Sequence, residues 1–272
     1  MITIDTFEHE AVKAYKFGYS PFGKPKLNVH VYYIDGLLID TGQSRTSKEI
    51  IRYIGELDVR QIFVTHHHED HSGNLHLLQK HFNCPAYASA TCCELMKKPP
   101  KISFVQNVFW GNRPPNHQLI PHGESIRTDN YTFQIIPIPG HAIDMVALYE
   151  PNKKWLFSAD LYVHYYINYF MENESVTQQI ESIKKVLELD FEVLFCAHNP
   201  KFTGGKGLLE KKLVFFESFY AQVSELYEKG YIDQQIFKRL NFKENKYIKL
   251  FSQGNLSKMN MVKSVIRDIE NS

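Results

Sequence analysis

The feature that most constrains this chain is a cluster of histidines and acids at residues 66–71, one residue after the mainly apolar segment 61–64. Four imidazoles and two carboxylates occupy these six positions, in the pattern His-x-His-x-Asp-His. Successive side chains of an extended segment point in opposite directions, so His66 and His68 share one face. A turn that follows brings in the last two ligands of the pattern, an acid and an imidazole. The sequence therefore predicts a strand that ends in a metal site.

Three later segments follow a common rule, in which an apolar run ends in a small or turn residue and then in a potential ligand. His141, Asp160 and His198 occupy that last position. Because the carboxyl ends of neighbouring strands meet at one edge of a sheet, we expect these side chains to converge on the first cluster. The predicted ligand set is His66, His68, Asp70, His71, His141, Asp160 and His198.

These seven side chains are too many for one ion. Zinc takes about four ligands, so the set suits two ions that share a carboxylate. The expected division gives His66, His68 and His141 to one metal and Asp70, His71 and His198 to the other, with Asp160 and a hydroxide bridging them. Because the set contains no cysteine, Zn²⁺ is the first choice and Fe²⁺ or Mn²⁺ are compatible. His67 and Glu69, at the alternating positions, are expected to face away from the metals.

Hydrophobic spacing and turn signals predict a mixed α/β framework around the cluster. Strands are expected at 12–17, 27–34 and 37–39, with a tight hairpin at Asp35 and Gly36. Residues 97–123 contain two Pro-Pro pairs among aromatic residues and are predicted to form a long ordered loop.

Helices are predicted where apolar residues recur at helical spacing. The pair Thr46 and Glu49 has the spacing of a capping box, and Thr91 is expected to open a short helix. Another helix is expected to start near Ser72, just after Asp70 and His71. The last quarter of the chain is predicted to be helical at about 206–229, 233–240 and 257–270. We therefore expect a catalytic domain at 1–204 and a helical extension at 205–272.

Composition limits the classes of partner. With 31 Lys and Arg against 30 Asp and Glu, the 272-residue chain has no net field that would draw it to nucleic acid or to an anionic membrane. A small-molecule substrate is the expected partner, and a homodimer is left open.

The N-terminal segment lacks the pattern of a secretory signal, no apolar run is long enough to span a bilayer, and the four cysteines show no C-x-x-C spacing. A cytoplasmic location is therefore expected.

From about residue 27 to residue 200 the chain resembles the metallo-β-lactamase superfamily, whose hydrolases include glyoxalase II. The segments that carry the resemblance are Leu38-Ile39-Asp40-Thr41-Gly42, residues 66–71 followed by Ser72-Gly73-Asn74, Pro139-Gly140-His141, Asp160 and His198. The resemblance implies an α/β fold of four layers, the αββα sandwich, here with a C-terminal helical extension. It also implies that Asp40 is a buried acid that holds the ligand loops.

Three departures narrow the resemblance. After His141, many relatives have Thr-x-Gly, whereas this chain has Ala142-Ile143-Asp144-Met145, which resembles an uncharacterised branch close to glyoxalase II. Asp160 stands where the lactam-cleaving zinc enzymes carry cysteine, so antibiotic hydrolysis is not expected. Position 68 is His where the flavodiiron branch has Glu.

The chemistry expected of such a centre is hydrolysis. A hydroxide that bridges the two metals would attack a small thioester, ester or lactone, and Asp70 would accept the proton of the water. His164 is a candidate proton donor to the leaving group, and Lys201 and Lys206 are candidates to hold a substrate carboxylate. The candidate pocket walls are Tyr162, Tyr165, Tyr166, Tyr169, Phe170, Phe104, Phe109 and Trp110.

Two other chemistries remain open at this point. One is phosphodiester or RNA cleavage, for which Lys258, Lys263 and Arg267 of the C-terminal segment supply only a thin basic stripe, so a nucleic-acid partner is not favoured. The other is iron-dependent dioxygenation of a persulfide-type substrate by the same ligands. The metal content would separate this last alternative from a two-zinc hydrolase.

Overall fold

Two β-sheets form the centre of the protein, in a computed structural model that describes residues 1–25, 27–242, 244, 249–250, 252 and 254–271. In each sheet the strands lie side by side in chain order. The first sheet contains β1 Ile2–His9, β2 Val12–Tyr19, β3 Asn28–Ile34, β4 Leu37–Ile39, β5 Gln61–Phe63, β6 Ala86–Ala88 and β7 Leu119–Pro121. The second contains β8 Ser125–Arg127, β9 Thr132–Pro137, β10 Val146–Glu150, β11 Trp155–Ala159 and β12 Val193–Cys196.

The core between the sheets follows from the two-residue period of their strands. In β9, Phe133 and Ile135 are buried while Thr132 and Gln134 are exposed. The buried face packs against apolar side chains of the first sheet, among them Phe63 at the end of β5. This shared core fixes how the strand ends of one sheet lie against those of the other.

Helices cover the outer faces of both sheets. Their bounds are α1 Ser47–Ile54, α2 Glu69–Ser72, α3 Leu75–Phe82, α4 Ala90–Lys97, α5 Phe104–Trp110, α6 Val176–Leu187, α7 Gly205–Glu228, α8 Asp233–Arg239 and α9 Lys258–Glu270. Apolar residues of α1, α3 and α4 pack on the first sheet, and those of α6, α7 and α9 pack on the second. The four-layer αββα sandwich is therefore confirmed.

The C-terminal helices pack closely on α6 and on the second sheet. Helices α7, α8 and α9 correspond to the three predicted helical segments. Leu209 of α7 and Val262 of α9 belong to the same hydrophobic cluster as Ile180 of α6 and Leu156 of β11. Among the described residues, no helix combines the length and apolar character that a membrane crossing requires.

The hairpin between β3 and β4 has the predicted two-residue turn. Asp35 and Gly36 both have positive φ, 47° and 82°, and Ile34 pairs with Leu37 across the turn. Such a turn matches the twist of the flanking strands. It returns the chain along β3 and delivers Asp40 to the end of β4.

The single helix predicted near Ser72 is wrong in detail, because two helices form there. Asp70 and His71 lie inside α2 rather than before a helix, and α3 begins at Leu75. Between them, Gly73 sits so close to other backbone that an added Cβ would lie 2.9 Å from the carbonyl oxygen of Gly42. The Asn74 amide donates to the carbonyls of Thr41, Gly42 and Gln43, which holds the break in place.

Three smaller predictions also need correction. Thr46 does not cap α1, since its hydroxyl donates to the Gln43 carbonyl instead. Helix α4 is capped by Ser89 rather than opened by Thr91. Residues 97–123 are not wholly loop: they contain α5 and β7, and α5 begins with a capping box of Ser103 and Gln106.

Candidate metal centre

The predicted ligands lie just beyond strand ends of both sheets. Residues 66–71 follow β5 of the first sheet, whereas His141, Asp160 and His198 follow β9, β11 and β12 of the second. The sequence suggested convergence along the edge of one sheet, but the centre is formed where the edges of two sheets meet. The loop backbones are tied together as well, since the Ala197 N–H donates to the carbonyl of Ala159 at 2.9 Å.

The seven side chains form two adjacent groups. One consists of His66, His68 and His141, and the other of Asp70, His71, Asp160 and His198. Within each group the potential ligand atoms all lie within 4.8 Å of one another. Asp160 Oδ2 lies 3.2 Å from His141 Nε2 and 3.3 Å from His198 Nε2, so this carboxylate is between the groups. The side chains thus cluster in the grouping that the sequence predicts, with Asp160 counted in the second group, and their binding of two metals stays a prediction.

The donor set fits divalent cations. His66 Nε2, His71 Nε2 and Asp160 Oδ1 are buried, and none of them makes a well-aligned hydrogen bond with a described residue, although the last two lie 3.3 Å apart. A buried polar atom left without a partner costs about 1–3 kcal/mol, so these atoms call for a ligand. Zinc would satisfy all three through its bonds to nitrogen and oxygen.

Distances between donor atoms agree with this fit. Two atoms bound to one zinc at about 2.0–2.1 Å in tetrahedral geometry lie about 3.3–3.4 Å apart. The distance from His71 Nε2 to Asp160 Oδ1 is 3.3 Å, and that from His198 Nε2 to Asp70 Oδ2 is 3.4 Å. In the first group, His141 Nε2 lies 3.1 Å from His68 Nδ1.

Hydrogen bonds at Nδ1 orient the imidazoles of His71 and His198. Asp40 Oδ2 accepts a hydrogen bond from His71 Nδ1, which directs Nε2 of that ring at the second group. His198 Nδ1 donates to the Asn28 carbonyl at 2.7 Å. Outer contacts of this kind fix the ring orientation that a metal needs. The structure thus places Asp40 where the resemblance implied.

One such contact was not predicted. Glu174 lies 3.4 Å from His141 Nδ1 through Oε2, and the same oxygen accepts a hydrogen bond from Gln179. Glu174 precedes α6 by two residues in a segment with no motif, so the sequence offers no signal for it.

His67 and Glu69 lie outside the two ligand groups, as predicted, but they are buried. The Asp144 carboxylate accepts bonds from the backbone N–H and the Nδ1 of His67, both at 2.8 Å. Glu69 forms a buried ion pair with Arg113. Asp144 is one of the residues that depart from the common pattern after His141, and that departure was the available signal.

Burial determines the charge of His66 and His68 in the first group. It lowers the pKa of His66 and of His68 well below the usual value, and neighbouring imidazoles add to the shift. Both rings are therefore neutral at pH 7, which is the form that binds a cation.

For His141 and His71, nearby carboxylates raise the pKa by more than burial lowers it. Burial opposes the charged form of His141, but Glu174 and Asp160 together raise its pKa to about 10. The pKa of His71 is raised well above its usual value, since Asp40, Asp160 and Asp70 overcome the effect of burial. A cation must displace protons from such rings, so binding would release protons.

The other predicted residues have partners outside the two ligand groups. His164 is exposed, packs on the ring of Tyr165 and accepts the Tyr166 N–H through Nδ1. Lys201 donates to the Asn199 side chain, and Lys206 donates to the Leu189 carbonyl.

A cleft of about 440 Å³ opens beside the first group. Its lining is mainly polar and consists of His67, His68, Glu69, Pro100, Lys101, Ile102, Gln106, Arg113, Met171, Glu172, Asn173, Asn255 and Arg267. None of the predicted aromatic walls lines it, and Tyr162 and Phe170 are buried in the core. Trp110 is nonetheless close to the centre, with its ring centroid 6.4 Å from that of His198.

Curated relatives resemble part of this chain. A hydroxyacylglutathione hydrolase of Bdellovibrio bacteriovorus is 27% identical over 161 residues, which cover 59% of this chain and 57% of the relative. One of Legionella pneumophila strain Paris is 32% identical over 114 residues, covering 41% of this chain and 37% of the relative. The chain thus spans little more than half the length of these curated relatives.

Solved structures share the fold. A metallo-β-lactamase from Pontibacter korlensis has a TM-score of 0.63 at 18% identity, over 79% of this chain and 99% of that one. A flavo di-iron protein mutant from Thermotoga maritima has a TM-score of 0.59 at 17% identity, over 85% of this chain and 72% of that one. At such identities the likeness establishes the architecture alone.

The family itself is established by sequence. Residues 25–198, well over half of the chain, match the family model described as the metallo-beta-lactamase superfamily. This segment contains all seven residues of the two ligand groups. The chain therefore belongs to the metallo-β-lactamase superfamily.

Proposed function

We propose that this protein is a hydrolase that uses two divalent cations, zinc in the first instance, to cleave a small thioester, ester or lactone. The observation that carries the proposal is the pair of adjacent ligand groups with Asp160 between them. Relatives whose name denotes hydrolysis of a hydroxyacylglutathione support the reaction class. The proposed ligands are His66, His68 and His141 for one ion and Asp70, His71 and His198 for the other, with Asp160 shared.

Two cations in this set would lower the pKa of a shared water towards neutrality and draw electron density from the substrate oxygen. The side chains of the protein position the reacting groups and accept the proton of the attacking water. Asp70 Oδ2 lies 3.4 Å from His198 Nε2 and 3.7 Å from His71 Nε2, at the heart of the second group. At this position within the second group, the Asp70 carboxylate can accept the proton of the attacking water.

The substrate would reach the centre through the cleft beside His68. Because its wall carries Lys101, Arg113 and Asn173, we infer that the part of the substrate held there is polar. Trp110 offers an apolar surface next to His198 of the second group. His164 stays a proposed proton donor to the leaving group, with Nε2 as the ring nitrogen that Tyr166 leaves available.

The test is an assay of zinc-loaded protein against thioesters, lactones and phosphodiesters, together with metal analysis. Asp70→Ala should lose all turnover of the class that the wild type hydrolyses. Asp58→Ala is the matched control, because Asp58 has a side chain 81% exposed and lies outside the ligand groups. Full activity of Asp70→Ala would refute the site, turnover of phosphodiesters alone would refute the substrate class, and one iron per chain would favour the dioxygenase alternative.

A further inference from the structure

A buried lysine of the C-terminal extension lies behind the metal centre. Lys212 of α7 is 2% exposed, and its Nζ donates to the carbonyl of Leu161 at 2.6 Å. Lysine is almost never fully buried unless it is paired. Among the described residues no carboxylate lies within 4.0 Å of this ammonium, and the ring of Phe216 is 5.3 Å away. Burying an ammonium without a paired carboxylate costs free energy, which indicates that this position has a role.

The carbonyl that Lys212 binds belongs to the residue after Asp160. The chain leaves β11 irregularly there, since the pairing with β12 shifts register and Ala159 has a φ of 45°. On the near side of Asp160, the Ala159 carbonyl accepts the Ala197 N–H at 2.9 Å. On the far side, Lys212 holds the Leu161 carbonyl. The carbonyls of the residues before and after Asp160 are thus anchored, that of Ala159 to the His198 loop and that of Leu161 to α7.

Acids of the centre also act on the charge of Lys212. Burial lowers the pKa of Lys212 to about 8, while the negative charges of Glu174 and Asp160 act in the opposite direction. Attraction of this kind implies that the ammonium offsets part of the repulsion between closely placed carboxylates. Lys211, the preceding residue of the same helix, is exposed and shares none of these contacts.

We propose that Lys212 is a positioning residue that holds Asp160 in place for metal binding, so that the C-terminal extension is a working part of the centre. The inference rests on the proposed function, because both require cations at this site. It assigns to α7 a role that a separate accessory domain would not have.

Zinc binding tests the inference without an activity assay. Lys212→Met keeps the length of the side chain but removes the ammonium, and Lys212→Gln keeps an N–H donor without the charge. Lys211→Met is the matched control. Each metal-free variant is first checked for folding by circular dichroism. Zinc content and affinity are then measured by metal analysis and by competition with a chelator of known affinity.

We expect Lys212→Met to weaken zinc binding about tenfold or more, Lys212→Gln to weaken it less, and Lys211→Met to match the wild type. If Lys212→Met does not fold, the comparison rests on Lys212→Gln. Folded Lys212 variants that bind zinc as tightly as the wild type, with only a lower melting temperature, would overturn the inference and leave the proposed function intact. A wild type that binds no divalent ion would overturn both.

Discussion

Asp40 Oδ2 lies 2.7 Å from His71 Nδ1, beneath the second ligand group. The same carboxylate accepts the backbone N–H of Thr65 at 2.8 Å, so one acid holds both the ring and the start of the histidine segment. Asp40 has a φ of 63°, a conformation that costs energy for any residue except glycine. The surrounding bonds maintain this strain, which indicates that the position of the carboxylate matters.

Replacing this carboxylate should weaken metal binding more than folding. Asp40→Asn keeps the shape but weakens the bond that orients His71, so we expect zinc affinity to fall about 10–100-fold. Chelator competition measures the change, with Asp58→Asn as control. An affinity equal to that of the wild type would show that His71 is oriented without Asp40.

Metal should stabilise the folded protein strongly. Because the ligands converge only in the native state, zinc at about 100 times its dissociation constant should add about 2.7 kcal/mol to the free energy of unfolding. Thermal unfolding with and without zinc measures this, and an excess of chelator should reverse it. A melting temperature that does not respond to zinc would contradict the ligand assignment.

Mild acid should destabilise the metal-free protein through His30. Burial holds the pKa of this ring at about 4, below the ordinary value of 6.5. Between these values the unfolded state binds more protons than the folded state, so stability falls as the pH decreases from 6.5 to 4. The loss integrates to about 3 kcal/mol.

Urea unfolding at several pH values isolates this contribution. His30→Gln should be less stable than the wild type at pH 7, because the ring packs against Tyr32, but it should lose less stability on acidification. An identical acid dependence in both proteins would assign the loss to other groups.

The buried pair of Glu69 and Arg113 supports one wall of the cleft. Arg113→Met would leave a buried carboxylate without its partner and should cost about 3–5 kcal/mol of stability. The double variant Glu69→Gln, Arg113→Met should recover much of that loss. Chemical denaturation measures both, with the exposed Arg127→Met as control. Equal stabilities of the single and double variants would show that Glu69 is compensated by other groups.

The ligand groups could be predicted from the sequence because each ligand follows an apolar segment. His141, Asp160 and His198 were identifiable for this reason, although more than fifty residues separate the first from the last. The pairing of two sheets was not visible in the same way, since it depends on contacts between distant segments such as His30 with Ala197. The resemblance to a family supplied that part of the architecture.

Other features depended on contacts that leave no local pattern. Glu174 and Lys212 act on the centre through tertiary packing alone, and nothing in their sequence neighbourhoods marks them. Helix α5 did carry a signal, the capping box of Ser103 and Gln106, but the proline pairs around it favoured a loop.

Each ligand group draws side chains from both sheets. His66 and His68 meet His141 across the sandwich, and His71 meets Asp160 in the same way. An ion in either group would therefore cross-link the two halves of the molecule. The halves could not then slide past one another without pulling ligands from a shared ion. Core substitutions between the sheets, such as Phe157→Leu, would consequently alter metal affinity from a distance.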